Sequence, residues 1–90
     1  MRDPADRRRD GLSEDAALAL AYLVDAGWAA GSLDLNRLCG WSGADDRVRG
    51  ERAMAELERA AMIEVKGGSW RPTVLGEIAA AHARAEEARR

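Results

Sequence analysis

One cysteine, one histidine and thirteen arginines are the side chains of this 90-residue chain with the clearest chemical potential. Cys39 lies in the run Leu38-Cys39-Gly40-Trp41 with no basic partner placed beside it. It therefore reads as a small buried residue rather than a nucleophile. His82 stands on an Ala-rich stretch without an acid–base partner. No glycine-rich phosphate loop, metal-ligand cluster or nucleophile motif is present. The expectation is a protein that is not an enzyme, with no metal and no cofactor. Arginine offers more, because thirteen of the fourteen basic residues are Arg. Its planar guanidinium suits bidentate contact with phosphate or guanine better than an ammonium does. Codon bias in a GC-rich genome would produce the same excess.

Charge and composition limit what those arginines can do. Residues 1–11 carry four Arg against three Asp, and residues 12–76 carry seven basic against ten acidic side chains. Residues 77–90 balance at three each. DNA-binding domains usually carry a clear basic excess, since phosphate neutralisation supplies most of their non-specific affinity. Any positive patch here must come from placement. A single Cys excludes an intrachain disulfide and fits a reducing, cytoplasmic setting. No apolar run approaches the ~20 residues that cross a bilayer, and Met1-Arg-Asp-Pro is no signal peptide. Ninety residues with no Phe make one domain with a small core.

The elements that must position these side chains are legible in outline. Residues 1–11, MRDPADRRRDG, lack apolar content and read as a disordered leader, with Arg7-Arg8-Arg9 as a basic arm or a solvated tail. Ser13 caps a first helix whose Ala16, Ala17, Leu20, Leu23 and Val24 recur at helical spacing until Gly27. Trp28 reads as a core or lid residue in the connector that follows. A short helix over 33–39 turns Leu35, Leu38 and Cys39 inward, and Gly40 stops it. Trp41 packs into the turn, and Ser42 with Asp45 forms a capping pattern for a third helix to about Ala60. Gly50, Ala53, Met54, Leu57 and Ala61 fall on one stripe of it. Val48 does not, so either the regular helix begins after Val48 or Val48 lies on an outward surface. Met62–Lys66 and Ser69–Arg71 flank Gly67-Gly68 as a hairpin, with Trp70 anchoring it to the core and Pro72 ending its second strand. Thr73 caps a last helix from Val74 towards Glu87, its apolar face read as Val74, Leu75 and Ile78 with Ala81 or His82, then Ala85.

The order helix–helix–helix–β-hairpin–helix resembles the winged helix-turn-helix family, such as MarR-like and PadR-like bacterial regulators. The matching residues are Leu35-Asn-Arg-Leu38-Cys39 in the second helix and Met54-Ala-Glu-Leu57-Glu-Arg-Ala-Ala61-Met62-Ile63 at the end of the third. Pro72-Thr73-Val-Leu-Gly76 after the hairpin is the third match. The resemblance covers about residues 12–82, and the winged-helix domain with its C-terminal helix is expected to occupy 12–90. Two departures stand out. The connector from Gly40 to Asp46 is longer than the family's tight turn, and Ala61 occupies a position usually held by Gly.

The resemblance implies a small bacterial or phage protein that binds double-stranded DNA as a transcription regulator. Helix 44–60 would enter the major groove, with hairpin 62–72 as the wing. Arg47, Arg49 and Arg52 would read guanine or phosphate, and Val48 would meet a thymine methyl. Lys66, Ser69 and Arg71 of the hairpin, with Arg37, would touch flanking phosphates. On the other reading of the same residues, Arg47 and Arg52 pair with nearby acids and Val48 packs on Trp41. The fold would then serve as a protein–protein interaction module without DNA. The Ala-rich last helix (Ala79, Ala80, Ala81, Ala83, Ala85, Ala88) allows a homodimer through the C-terminal helix, or else a frayed polar end.

Overall fold

The computed structural model describes residues 11–88. The elements are α1 (Glu14–Ala26), α2 (Ser32–Cys39), α3 (Asp46–Arg59), β1 (Ile63–Lys66), β2 (Ser69–Pro72) and α4 (Val74–Ala88). This is the expected mainly helical class with one small antiparallel hairpin. Apart from Gly11, the leader expected at 1–11 lies outside the described residues, so the structure does not bear on it.

Helix α1 begins where the chain offers a cap. Ser13 Oγ accepts the Ala16 N–H at 3.2 Å, and Glu14 and Asp15 place negative charge on the first turn. A second residue holds this start. Ser13 donates from its backbone N–H and its hydroxyl to the Glu56 carboxylate of α3, at 2.6 and 2.8 Å. Ala16, Ala19, Leu20 and Leu23 then face the core, while Gly27 at positive φ ends the helix. Leu20 and Leu23 are fully buried together with Leu35 and Leu57, and each contributes roughly 1.5–3 kcal/mol by leaving water.

Helices α2 and α3 approach closely because residue 50 has no side chain. A Cβ there would lie 1.8 Å from Oδ1 of Asn36. Asn36 is the one buried polar residue among those described, and that oxygen has no hydrogen-bond partner. The inward set expected for α2 thus lacks one member, since Asn36 is buried beside Leu35 while Leu38 and Cys39 are half-buried.

The connector ends differently from the capping pattern read in the sequence. Asp45 makes no side-chain cap bond. Instead Asp46 Oδ2 accepts the Gly43 N–H at 3.0 Å, which closes the turn one residue later. Trp41 is buried in this turn, as expected, and its N–H donates to the Asn36 carbonyl at 2.8 Å.

At its far end α3 closes with a paired motif. The Ala61 N–H donates to the Glu58 carbonyl at 3.0 Å and the Met62 N–H to the Leu57 carbonyl at 2.9 Å. That motif requires a left-handed residue, and Ala61 supplies it at φ 60. The departure from Gly therefore changes the residue and not the backbone. Ala61 is exposed rather than part of the buried stripe.

Gly67 and Gly68 both have positive φ, which gives the two-residue turn whose twist suits a hairpin. The register runs from Ile63 opposite Pro72 to Lys66 opposite Ser69. One contact was not legible in the sequence. Ala29 and Trp70 exchange backbone hydrogen bonds, at 2.9 and 2.8 Å, so the connector after α1 adds a third backbone to β2. The neighbouring Trp28 is 52% exposed, which removes the core alternative from its reading as a core or lid residue. Trp70 is packed against the core, as expected.

Helix α4 is capped by Thr73, whose Oγ1 accepts the Gly76 N–H at 3.1 Å and donates to the Ala61 carbonyl at 2.7 Å. Its packing reverses the expected face. Gly76, Ala79 and Ala80 are buried, whereas Val74 is 72% and Ile78 54% exposed, with Leu75 also exposed. The cause is space. A Cβ on Gly76 would lie 2.1 Å from the Met62 carbonyl oxygen, so only the helix's smallest side chains fit against α1 and the α3–β1 junction.

Candidate nucleic-acid interface

Helix α3 carries three of the six charged residues expected to contact DNA, Arg47, Arg49 and Arg52, and packing divides its side chains into two groups. The buried stripe is Gly50, Ala53, Met54 and Leu57. Val48, Arg52 and Ala55 lie opposite it and are exposed, and Glu51 and Arg47, the latter about 60° from Gly50 on the first turn, are exposed at its flank. The helix starts at Asp46, two residues before Val48, and Val48 is 45% exposed. Of the two readings of Val48, the outward surface is the one found.

Arg49 belongs to neither group and corrects the expectation that it projects away from the core with Arg52. Its Nε and Nη2 donate to the two carboxylate oxygens of Asp15 on α1, at 3.0 and 2.9 Å. Asp46 lies 3.6 Å from its Nη1, and the guanidinium sits over the Trp41 ring with 4.3 Å to the centroid. The hydrogen bond to Asp15 raises the Arg49 pKa further above its ordinary value. A guanidinium with both faces of its fork occupied and its plane stacked is positioned to tie α1 to α3. The spacing contained this signal. At about 100° per residue, Arg49 falls about 40° from Ala53 and about 100° from Val48.

The remaining expected residues are distributed as follows. Arg47, Arg52, Lys66 and Arg71 have no ion-pair partner among the described residues. The internal pairing of Arg47 and Arg52 with nearby acids is thus not found. Arg37 is engaged, since its Nη2 donates to Asp34 Oδ1 at 2.7 Å, and Asp34 also accepts the Ala30 N–H at 3.0 Å. Ser69 is half-buried in β2, opposite Lys66 at the hairpin's turn. Asp45, Val48, Arg52 and Glu56 line a shallow hollow of about 250 Å³ between α3 and the start of α1.

Sequence reasoning missed three residues that position this surface. Glu56 reaches Ser13, Asp15 reaches Arg49, and Asn36 faces Gly50. All three contacts join distant parts of the chain through polar atoms, for which hydrophobic periodicity carries no signal. Burial pushes the Cys39 thiol up to about 11, with the nearby Arg49 charge opposing and Asp15 adding to the shift. A thiol so raised is protonated at neutral pH and is a poor nucleophile. No group of His, Cys, Asp and Glu among the described residues is placed to hold a metal ion. No described helix is long and apolar enough to cross a membrane. No protein-family model, curated protein or solved structure matches the chain.

Proposed function

We propose that the chain is a winged helix that binds double-stranded DNA in the cytoplasm as a small regulator of transcription. Helix α3 enters the major groove and the β1–β2 hairpin acts as the wing. The observation that carries this reading is the outward face of α3. There Val48 and Arg52 stand exposed with Arg47 at their flank, and no ion pair among the described residues draws the two guanidinium groups away. The element order and the Ala29–Trp70 bridge, which adds a third backbone to the sheet, support the winged-helix assignment.

In this arrangement Arg47 and Arg52 address phosphate or the O6 and N7 atoms of guanine, and Val48 covers a thymine methyl. Glu51, between them, accepts from a cytosine amine. Lys66 and Arg71 neutralise phosphates beside the groove, with Ser69 donating its hydroxyl. Arg37 reaches a phosphate with the donors that Asp34 leaves unused. Arg49 has no part in base reading and holds α3 against α1 instead. Binding of labelled duplex at two salt concentrations tests the proposal. Arg47→Ala and Arg52→Ala should weaken binding, and duplex left unbound at low salt would overturn it.

The second reading, a winged helix used to bind another protein, draws support from the same face. Asp45, Glu51 and Glu58 are exposed alongside the arginines, and the segment 12–76 carries ten acidic against seven basic residues.

A further inference from the structure

Trp28 is a large side chain that neither the core nor the reading of α3 accounts for. It is more than half exposed, although the chain has only three Trp and no Phe with which to build a core. Its surroundings follow from the backbone. Ala29 and Trp70 form an antiparallel bridge and exchange both hydrogen bonds. Continuing that register by one residue each way sets Trp28 beside Arg71 and Ala30 beside Ser69. The hairpin register then sets Arg71 beside Glu64 and Ser69 beside Lys66. Side chains alternate across a sheet, so Ala29, buried at 1%, faces the core with Ile63 and Trp70 while these six face outward. Exposure agrees, since all six are exposed except the half-buried Ser69.

We propose that this outward face binds single-stranded DNA, with one unpaired base stacked on Trp28 and the adjoining phosphates on Arg71 and Lys66. The face carries an indole at one edge, Arg71 next to it and Lys66 at the hairpin turn. At strand spacing, Trp28 and Arg71 stand roughly 5 Å apart along the backbone ladder, and Arg71 and Lys66 roughly 8 Å. Neither cation has an ion-pair partner among the described residues. Glu64 lies on the side of Arg71 away from Trp28 and leaves the face net positive, within a segment, 12–76, of seven basic and ten acidic side chains. A ring beside cations is the pairing that a single strand answers, since each nucleotide offers a planar base and a charged phosphate. A duplex cannot use Trp28 in this way, because its bases are already stacked on one another. An acidic protein segment would answer the cations alone. DNA is specified over RNA because the same hairpin is read above as meeting DNA, and in that respect the inference rests on that reading. Stacking on Trp28 does not require α3 to enter a groove.

Fluorescence titration of the full chain at low salt with an oligothymidylate, which forms no duplex with itself, tests the proposal. Binding should quench Trp emission, and Trp28→Phe should remove most of the quenching while retaining binding. Trp41 is buried and Trp70 half-buried, so Trp28 dominates the accessible signal. Trp28→Ala should weaken binding about tenfold, the worth of one stacked base, without changing its salt dependence. Arg71→Ala and Lys66→Ala should each lower the salt slope by about 0.7. Circular dichroism establishes that each variant is folded, and Trp28→Phe with Arg71→Ala keeps the test decisive if Trp28→Ala unfolds. The same variants titrated with labelled duplex separate this inference from the preceding reading, since Trp28→Ala should leave duplex affinity unchanged. Oligothymidylate bound where duplex is not would overturn the duplex reading and support this one. No oligothymidylate bound, affinity indifferent to Trp28→Ala, or equal losses for duplex and single strand would overturn the proposal. So would polyglutamate competing as well as the oligonucleotide, or oligouridylate binding more tightly than oligothymidylate.

Discussion

Arg49 grips Asp15 with two parallel hydrogen bonds across the gap between α3 and α1 while its guanidinium lies on Trp41. A residue that looked available for ligand contact thus fastens two helices. Arg49→Ala should lower the thermal midpoint, and Arg49→Lys should fail to restore it. An ammonium offers neither the planar fork nor the stacking surface. A thermal melt of the three proteins measures this; full rescue by Lys would show that charge alone matters.

Gly50 is required by the Asn36 amide rather than by its own backbone angle. Gly50→Ala should cost about 3 kcal/mol or more, because the added methyl meets Oδ1 and the α2–α3 spacing must widen. Asn36→Ala removes the obstructing atom along with an unpaired buried carbonyl. In the double variant much of the loss should disappear, and urea unfolding of all four proteins gives the coupling.

Ala61 is held in a left-handed conformation that disfavours any side chain. Ala61→Gly should raise stability by about 1 kcal/mol, and Ala61→Val should lower it. Since the residue is exposed and at the helix terminus, neither change should disturb the core. Chemical denaturation reads both directly.

Cys39 makes stability depend on alkaline pH. Its pKa is raised from 9.0 to about 11 by burial, so between those values the unfolded chain ionises while the folded chain keeps its proton. Stability should fall as pH rises through this window, by about 2 kcal/mol from this group. Below pH about 9 the effect vanishes. Comparing urea midpoints of the parent and Cys39→Ala from pH 8 to 11 isolates it, and parallel pH profiles would contradict it.

The apolar and turn-forming residues made the outline of the fold legible. Ser13 and Thr73 cap as their types suggest, Gly67-Gly68 turn the hairpin, and Leu20, Leu23 and Leu57 mark buried stripes. Periodicity failed on α4, where the larger side chains were assigned inward. Backbone crowding at Met62 admits only Gly76 and alanines there, a constraint set by a segment distant in sequence. The Ala29–Trp70 bridge was silent for a related reason, since it joins backbone atoms and leaves no residue pattern. Within the candidate interface, the cluster on α3 was visible but its division was not. Arg49 turned inward because Asp15 and Trp41 wait for it, and neither partner is close in sequence.

The central claim is that the outward face of α3 and the hairpin neutralise DNA phosphates. The most direct measurement is fluorescence anisotropy of a labelled GC-rich duplex titrated with the protein from 50 to 200 mM salt. With Arg37, Arg47, Arg52, Lys66 and Arg71 engaged, the logarithm of affinity should fall against the logarithm of salt with a slope of about −4 to −5. Lys66→Ala or Arg71→Ala should reduce that slope by about one, and Arg47→Ala or Arg52→Ala should weaken binding more strongly. Arg49→Ala, measured well below its melting temperature, should leave the slope unchanged. Absence of binding at 50 mM salt, or binding that ignores both salt and these substitutions, would contradict the account.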